Sequence, residues 1–510
     1  MKNIVQNLKT KTSYGYDKFS NKFVKENIEF LLDPLVYLFN LSITTGTFPD
    51  QLKLTKIIPI FKKGKTDDIK NYRPIAIISP FSKIFEKLMC NRLLKFLNDN
   101  DILHPNQYGF IKNKCTTDAA HNLIQQILHN HDANKMTLST FYDLSKAFDC
   151  VDINMLLNDL ENYGIRGTAL EWWKSYLCNR KQYVELKTIE NQLIKSEKSS
   201  QVVTKFGVPQ GSVAGPILYL IYINSVLNNS NQTAKTLMYA DDTTSIVSSS
   251  NVEEIEIISQ EAMATFVQNI ESKNLVINEG KTNYMIFNFK KKINFEPYLS
   301  IADIEIERVK STKFLGFMID DQLSWTEHVN YISRKINSGL YVLRRITKLC
   351  DLNCSKMIYF SLIYSHITYG ILLWGNSSQQ NLNKILLLQK RAIRYMCNLD
   401  YSSSCKGNFR ELHLLTAPSL FVYYSILYIY QHKNNLTKLG ESHDHNTRHR
   451  NTLAFPRHNT TKFEKQVTYN GLRLYNKLPI HIREIKEIKK FKHSLKKFLI
   501  DKCLYNLDEL

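Results

Sequence analysis

A bilayer-spanning helix needs roughly twenty apolar residues in a row, and no such run stands out in this sequence. Leu362 to Trp374 and Leu420 to Tyr430 come nearest, but both are short and carry His366 or several tyrosines. No membrane partner is therefore expected. The opening segment, MKNIVQNLKTKTSYGYD, lacks the apolar core of a signal peptide. Paired cysteines are missing too. The nine present are odd in number and scattered, and Cys350 with Cys354 forms a lone close pair with no Cys/His set after it. That pattern disfavours a disulfide framework and a zinc knuckle, and points to reduced thiols in an intracellular protein. There are no internal repeats. Acidic residues are in deficit, 47 against 67 lysines and arginines, which leaves a net charge of +20. Such an excess calls for a polyanion, bound through phosphate neutralisation and counterion release. Nucleic acid is favoured.

At 510 residues and 43% hydrophobic, the chain should fold into two to four domains with sizeable cores. Mixed helix and strand patterning runs to about residue 322. Beyond it Val329, Ile332, Ile336, Leu340 and Leu343 open an all-helical pattern, with further helices expected over 355–373 and 379–397. Four segments follow: a helical extension over 1–50, an α+β body over 51–321, helices over 322–400 and a basic region over 401–510. The last ends in an amphipathic helix, with Ile488, Phe491, Leu495 and Phe498 on one face and Lys489, Lys490, Lys492, Lys496 and Lys497 on the others. His443, His445 and His449, in a polar stretch, suggest a metal site only weakly.

The chemistry concentrates in the α+β body. Tyr239-Ala240-Asp241-Asp242, between the apolar Leu237–Met238 and the β-prone Thr243 to Val247, reads as a hairpin with two carboxylates at its tip. Asp143 follows a β-prone run, Thr137 to Tyr142, and stands at a strand end. Taken alone, the acidic pair is more simply a solvated turn, and Asp143 is equally well the plain end of a core strand. Together the three acids would hold a pair of divalent ions suited to phosphoryl transfer. Upstream, Leu52 to Phe61 is a strand interrupted by Pro59, so an edge position is expected. It leads through Lys62-Lys63-Gly64-Lys65 to Asn71-Tyr72-Arg73-Pro74-Ile75, a basic hairpin whose cations suit a triphosphate, although a solvated loop is the commoner meaning. Gln107-Tyr108-Gly109-Phe110 marks a turn of no evident purpose. Lys181 to Ile189 is a strand, 190–200 a polar loop, and Gln201 to Phe206 the return strand. Gly207-Val208-Pro209-Gln210-Gly211-Ser212 then places Ser212 to cap a helix over Ile217 to Val226; Gln210 is free to touch a base or sugar, although a plain helix-start turn is the commoner meaning. Lys281, in Asn278-Glu279-Gly280-Lys281-Thr282, is either an ordinary surface lysine or a donor to a pyrophosphate leaving group. Lys313 to Ile319 is one more strand, with Gly316 marking a close backbone approach.

In the order NYRPI, FYDLSKAFD, GVPQGS, YADD, NEGKT and KFLGF, these stretches resemble the reverse transcriptases of non-LTR (LINE-type, jockey-like) retrotransposons. The resemblance implies a right-hand polymerase fold: fingers and a palm with an antiparallel sheet, then an all-α thumb and a mostly helical C-terminal region. It implies RNA-directed DNA synthesis from a primer 3′-hydroxyl with dNTPs, on an RNA template and a DNA primer or target, using two Mg²⁺ ions or Mn²⁺ in their place. It makes Asp143, Asp241 and Asp242 the metal-binding acids and Lys281 a general acid. Phe148 would be the gate against a ribose 2′-hydroxyl and Gln210 a neighbour of the incoming nucleotide. Arg73 and Lys62 would grip the triphosphate, Tyr239 and Ala240 floor the primer end, and Phe314, Leu315 and Gly316 form the primer grip. Target-primed integration would place the protein in the nucleus. Only about fifty residues precede the first motif, too few for an endonuclease domain, and no acidic set suggests an RNase H. The alternatives are an RNA-dependent RNA polymerase or intron maturase, where Asp149 beside Phe148 matters, and a catalytically dead RNA-binding remnant.

Overall fold

The computed structural model describes the chain except residues 191–192, 229–233, 290–294 and 439–451. The histidines His443, His445 and His449 lie outside the described residues. Met136–Tyr142 (MTLSTFY) is buried along its whole length, as expected of a strand covered on both faces. It is the centre of a five-stranded sheet ordered Glu307–Arg308, Asn283–Phe287, Met136–Tyr142, Asp242–Ser249, Lys235–Tyr239. Period-two alternation divides its side chains between two cores. Phe141, Ile246, Met285 and Phe287 pack with the helix Thr116–Asp132, whereas Leu138, Tyr142, Val247 and Ile286 pack with the helix Val252–Glu271. Antiparallel register sets Tyr142 opposite Thr243. One residue further along each strand, Asp143 therefore comes beside Asp242.

A second sheet lies ahead of these strand ends. Leu54–Phe61 pairs antiparallel with Tyr72–Ile77 and, over Leu54 to Ile57, parallel with Lys181–Glu190. The strand thus does not lie at the sheet edge, contrary to expectation; Pro59, opposite Pro74, is tolerated because it falls past the parallel register, where its missing N–H costs no ladder bond on that side. The return strand here differs from expectation. Leu193–Lys198 pairs back along Lys181–Glu190, while of the expected strand Val202–Val203 pairs with Lys181 and Gln182 and Phe206 bridges to Asp152.

From Thr326 onward the described chain is helical, apart from one isolated bridge between Lys438 and Leu453. Its core is continuous with one face of the central sheet. Val329, Ile336, Ile385, Ile393, Leu420, Leu472, Phe491 and Leu495 belong to the same cluster as Phe141 and Met285. That is why Ala417–His432 is apolar on every side and largely buried. Two expectations fail for one reason. Lys313 to Ile319 is not one strand but a hairpin, Ser311–Phe314 against Phe317–Asp320, because Leu315 and Gly316 take φ of 46° and 89° and form a two-residue turn. The helix expected over 355–373 breaks at Tyr369–Gly370, where Gly370 has φ 56° and a Cβ would lie 2.1 Å from the Phe317 ring. The helix Ile28–Thr45 is long and apolar enough to cross a membrane by length and composition, contrary to the sequence reading. It packs Ile28, Leu35 and Phe39 inward, and its Ser42 Oγ accepts from the Trp172 indole at 2.9 Å.

One buried histidine gives this core a pH dependence. His328, fully buried among Phe317, Trp325 and Trp374, accepts from the Met318 N–H through Nδ1 and is held neutral by burial, its pKa down at about 4. The unfolded chain takes up that proton near pH 6.5, so stability is full above that pH and falls as pH drops toward 4. Between pH 7 and pH 5 the expected loss from this residue is about 2 kcal/mol. Urea unfolding at the two pH values should show it, and His328→Gln should flatten the difference by that amount. An unchanged slope would assign the acid sensitivity elsewhere.

Candidate active site

The acidic hairpin turns through Ala240 and Asp241, with Tyr239 opposite Asp242. Ala240 takes a left-handed φ of 58°, a conformation that costs a β-carbon residue about 1 kcal/mol. The loop Gln107–Phe110 holds it there. Tyr108 N–H donates to Met238 O at 2.8 Å and Met238 N–H to Asn106 O at 3.0 Å, so the loop runs beside the strand as a further partner. The fully buried Gln107 side-chain oxygen accepts from Gly109 N–H at 2.8 Å and from Ala240 N–H at 3.2 Å. A Cβ on Gly109 would lie 2.4 Å from Ala240 N. The turn whose purpose composition left unexplained is the splint of the acidic tip.

The three acids repel one another. Burial, helped by the charge of Asp143, raises the Asp241 pKa, while Arg73 and Lys62 pull it down. Burial and the charges of Asp241 and Asp143 push Asp242 up to about 6. A cluster held at such a cost suits a cation, and carboxylate oxygens are the hard donors that Mg²⁺ prefers. Here Lys281 supplies the countercharge, its Nζ 2.8 Å from Asp143 Oδ2. Among the described residues no three His, Cys, Asp or Glu side chains converge into a ready metal cage. The fit to a metal pair thus rests on donor type and mutual repulsion.

A cleft of about 1340 Å³ opens in front of Asp143 and Asp241, lined also by Lys62, Arg73, Phe148, Gln210 and Lys281. Gln210 is fixed at both ends. Its amide Nε2 donates to Asp149 Oδ1 at 2.7 Å, and its backbone carbonyl accepts from Ala76 N–H at 2.8 Å. Gly211, at φ 117°, lies so close to Ala76 that a Cβ would sit 2.7 Å from the Ala76 carbonyl oxygen. Ser212 Oγ accepts from Gly215 N–H, capping a helix that begins at Ala214, earlier than the Ile217 expected. The sequence did not single out Glu86, whose buried carboxylate accepts from Val213 N–H at 2.7 Å and seats that loop from behind. The Phe148 ring stacks on Tyr219 with centroids 4.4 Å apart and meets Phe110 edge-on at 6.2 Å.

Not every sequence-chosen residue faces this cleft. Asp242 is within electrostatic reach of the other two acids but is absent from the lining, as are Tyr239, Ala240, Phe314, Leu315 and Gly316. Ala240 is buried in the turn. Phe314 belongs to the sheet-to-helix core, and Tyr239 and Leu315, partly buried, pack against it.

Residues 60–319, which carry these elements, match the family model described as "Reverse transcriptase (RNA-dependent DNA polymerase)". The chain belongs to the reverse transcriptase family. Relatives of this reverse transcriptase come from mobile elements of Drosophila melanogaster. A probable RNA-directed DNA polymerase from transposon BS is 27% identical over 81% of this chain and 46% of its own length. The RNA-directed DNA polymerase from mobile element jockey is 28% identical over 81% of this chain and 45% of its own. A probable RNA-directed DNA polymerase from transposon X-element is 26% identical over 86% of this chain and 46% of its own. The reverse transcriptase chain thus spans a little under half the length of these relatives. A truncated apo telomerase structure from Candida tropicalis aligns with a TM-score of 0.37 at 12% identity, over 60% of this chain and 61% of that one, too loosely to bear on the fold.

Proposed function

We propose that the chain is the RNA-directed DNA polymerase of a non-LTR retrotransposon, extending a primer 3′-hydroxyl with dNTPs on an RNA template. One observation supports this reading: Asp143 and Asp241 line one cleft with Arg73 and Lys62, whose charges Asp241 feels, and Asp242 lies within electrostatic reach of both acids. In this reading residues 51–321 are fingers and palm, 322–400 the thumb, 1–50 an extension into the fingers and 401–510 a basic region for RNA or target DNA. Two Mg²⁺ ions held by the three acids would lower the pKa of the primer hydroxyl and stabilise the leaving oxygen. Arg73 and Lys62 hold the triphosphate, Arg73 as a fork and Lys62 as a point charge. Gln210, braced by Asp149, fixes the sugar side of the nucleotide. Lys281, paired with Asp143, would be able to turn to the phosphates where that carboxylate serves as a metal ligand. Base pairing reads the template, so the basic surplus serves backbone grip. Target-primed integration puts the reaction in the nucleus.

Primer extension on an RNA template tests the activity. Sugar choice tests the gate. Phe148 is clamped by Tyr219 and Phe110, so its ring cannot swing aside for a 2′-hydroxyl. Phe148→Ala should lower the preference for dNTPs over rNTPs about tenfold, read as the ratio of their kcat/KM values. An unchanged ratio would move the gate away from this residue, whereas a wild-type chain that prefers rNTPs would favour the RNA polymerase alternative.

A further inference from the structure

The break in the helical region at Tyr369–Gly370 puts one side chain where three parts of the molecule meet. Tyr369 O–H donates to the carbonyl of Leu315, at the tip of the Ser311–Asp320 hairpin, at 2.6 Å. A carbonyl can only accept, so the Thr116 hydroxyl, 2.9 Å from the Tyr369 oxygen, is the donor in that second contact. Thr116 opens the helix Thr116–Asp132, a few residues after the Gln107–Phe110 splint of the acidic turn. The ring itself stacks on Phe317 with centroids 4.9 Å apart and planes 18° off parallel. Gly316 backs onto it so closely that a Cβ there would lie 3.1 Å from the Tyr369 oxygen. From the other side, the buried Trp374 indole donates to the Tyr369 carbonyl at 3.1 Å. The Tyr369 hydroxyl lies within electrostatic reach of Tyr239, two residues before Asp241.

The geometry points to Tyr369 as a positioning residue that ties the Leu315–Gly316 tip to the helical region and to the start of the Thr116–Asp132 helix, so that a primer end resting on that tip would take its place relative to the acids from this contact. It rests on the polymerase reading of the site. Leu315 holds a left-handed φ of 46° that its side chain disfavours. The hydroxyl of Tyr369 is a hydrogen-bond partner to that strained residue, and a shift of the helical region moves the tip with it. Ring packing alone would hold Tyr369 in place without its hydroxyl. The hydroxyl adds the hydrogen bond to the Leu315 carbonyl.

Tyr369→Phe keeps the stack on Phe317 and removes both hydroxyl bonds. In the full chain it should lower kcat/KM for the annealed primer–template about fivefold, as expected for one hydrogen bond to the moving part. KM for dNTP and the melting temperature should stay at wild-type values, a split that a packing role would not give. Thr116→Val, which leaves Tyr369 its bond to Leu315 but removes the donor behind it, should show a smaller loss in the same parameter. It decides the matter if Tyr369→Phe fails to fold. Variants equal to wild type in primer–template kcat/KM, or changed equally in dNTP KM and melting temperature, overturn the role of Tyr369 while the polymerase reading stands. A wild-type chain that extends no primer overturns both.

Discussion

Asp241→Asn should cut primer extension by about a thousandfold or more while leaving the fold intact or slightly more stable. The side chain keeps its size and one oxygen, and the turn it occupies accepts Asn as readily as Asp. What changes is charge. Asp241 sits beside Asp143 with Asp242 next to it in the chain, and burial with that repulsion already raises its pKa. Neutralising it relieves Asp242 and leaves Arg73 and Lys62 with less to attract at the cleft mouth. A cation held there would lose one of its anionic ligands and several kcal/mol of transition-state stabilisation with it, and each 1.4 kcal/mol is about tenfold in rate. The melting temperature in chelator should hold or rise by a few degrees, the usual direction when a functional site gives up like-charge strain. Loss of activity with a held or raised melting temperature is therefore the signature. A variant that extends primers at the wild-type rate would remove Asp241 from the metal site, and one that is inactive because it unfolds would say nothing of charge. The two are separated by measuring both quantities on the same preparation.

What the sequence made legible was chemistry attached to strand ends. Asp143 follows a run of β-prone residues and Asp241 sits between two such runs, so β-propensity placed both carboxylates at strand ends, and the sheet order then brought those ends to one side. The switch to helix after Asp320 was readable for the same reason. What stayed hidden depends on contacts between segments far apart in the chain. Leu315–Gly316 looks like the middle of a strand until Tyr369 and Phe317 show why the backbone must turn there. The break at Gly370 follows from the same ring. Glu86 reads as one more charged residue on an amphipathic helix, and only its place behind Val213 N–H reveals a buried cap. Gln107 and Gly109 offered composition for a turn but no hint of what the turn lies against.

Gly109→Ala should nearly abolish primer extension, by about a hundredfold or more, although residue 109 touches no substrate in the proposed mechanism. Gly109 has no unusual φ, so the backbone itself would accept alanine. The obstacle is its neighbour. A Cβ would stand 2.4 Å from Ala240 N, 3.0 Å from Tyr239 C and 3.1 Å from Ala240 Cα, all main-chain atoms that cannot rotate away. Relief requires the loop to part from the strand by about an ångström, weakening the Tyr108–Met238 and Met238–Asn106 bonds and the Gln107 clamp on Ala240 N–H. Ala240 then loses the support for its left-handed turn, and Asp241 next to it moves. A misplacement of that size at reacting groups costs about a hundredfold, and overpacking of a filled site about 1–3 kcal/mol of stability. Gly407→Ala is the control, since a Cβ there meets nothing within 4 Å and helix propensity favours alanine. Primer extension and melting temperature measured for both variants decide it. If Gly109→Ala extends primers as well as Gly407→Ala does, the loop is not what holds the acidic tip, and the Ala240 turn must be stable on its own.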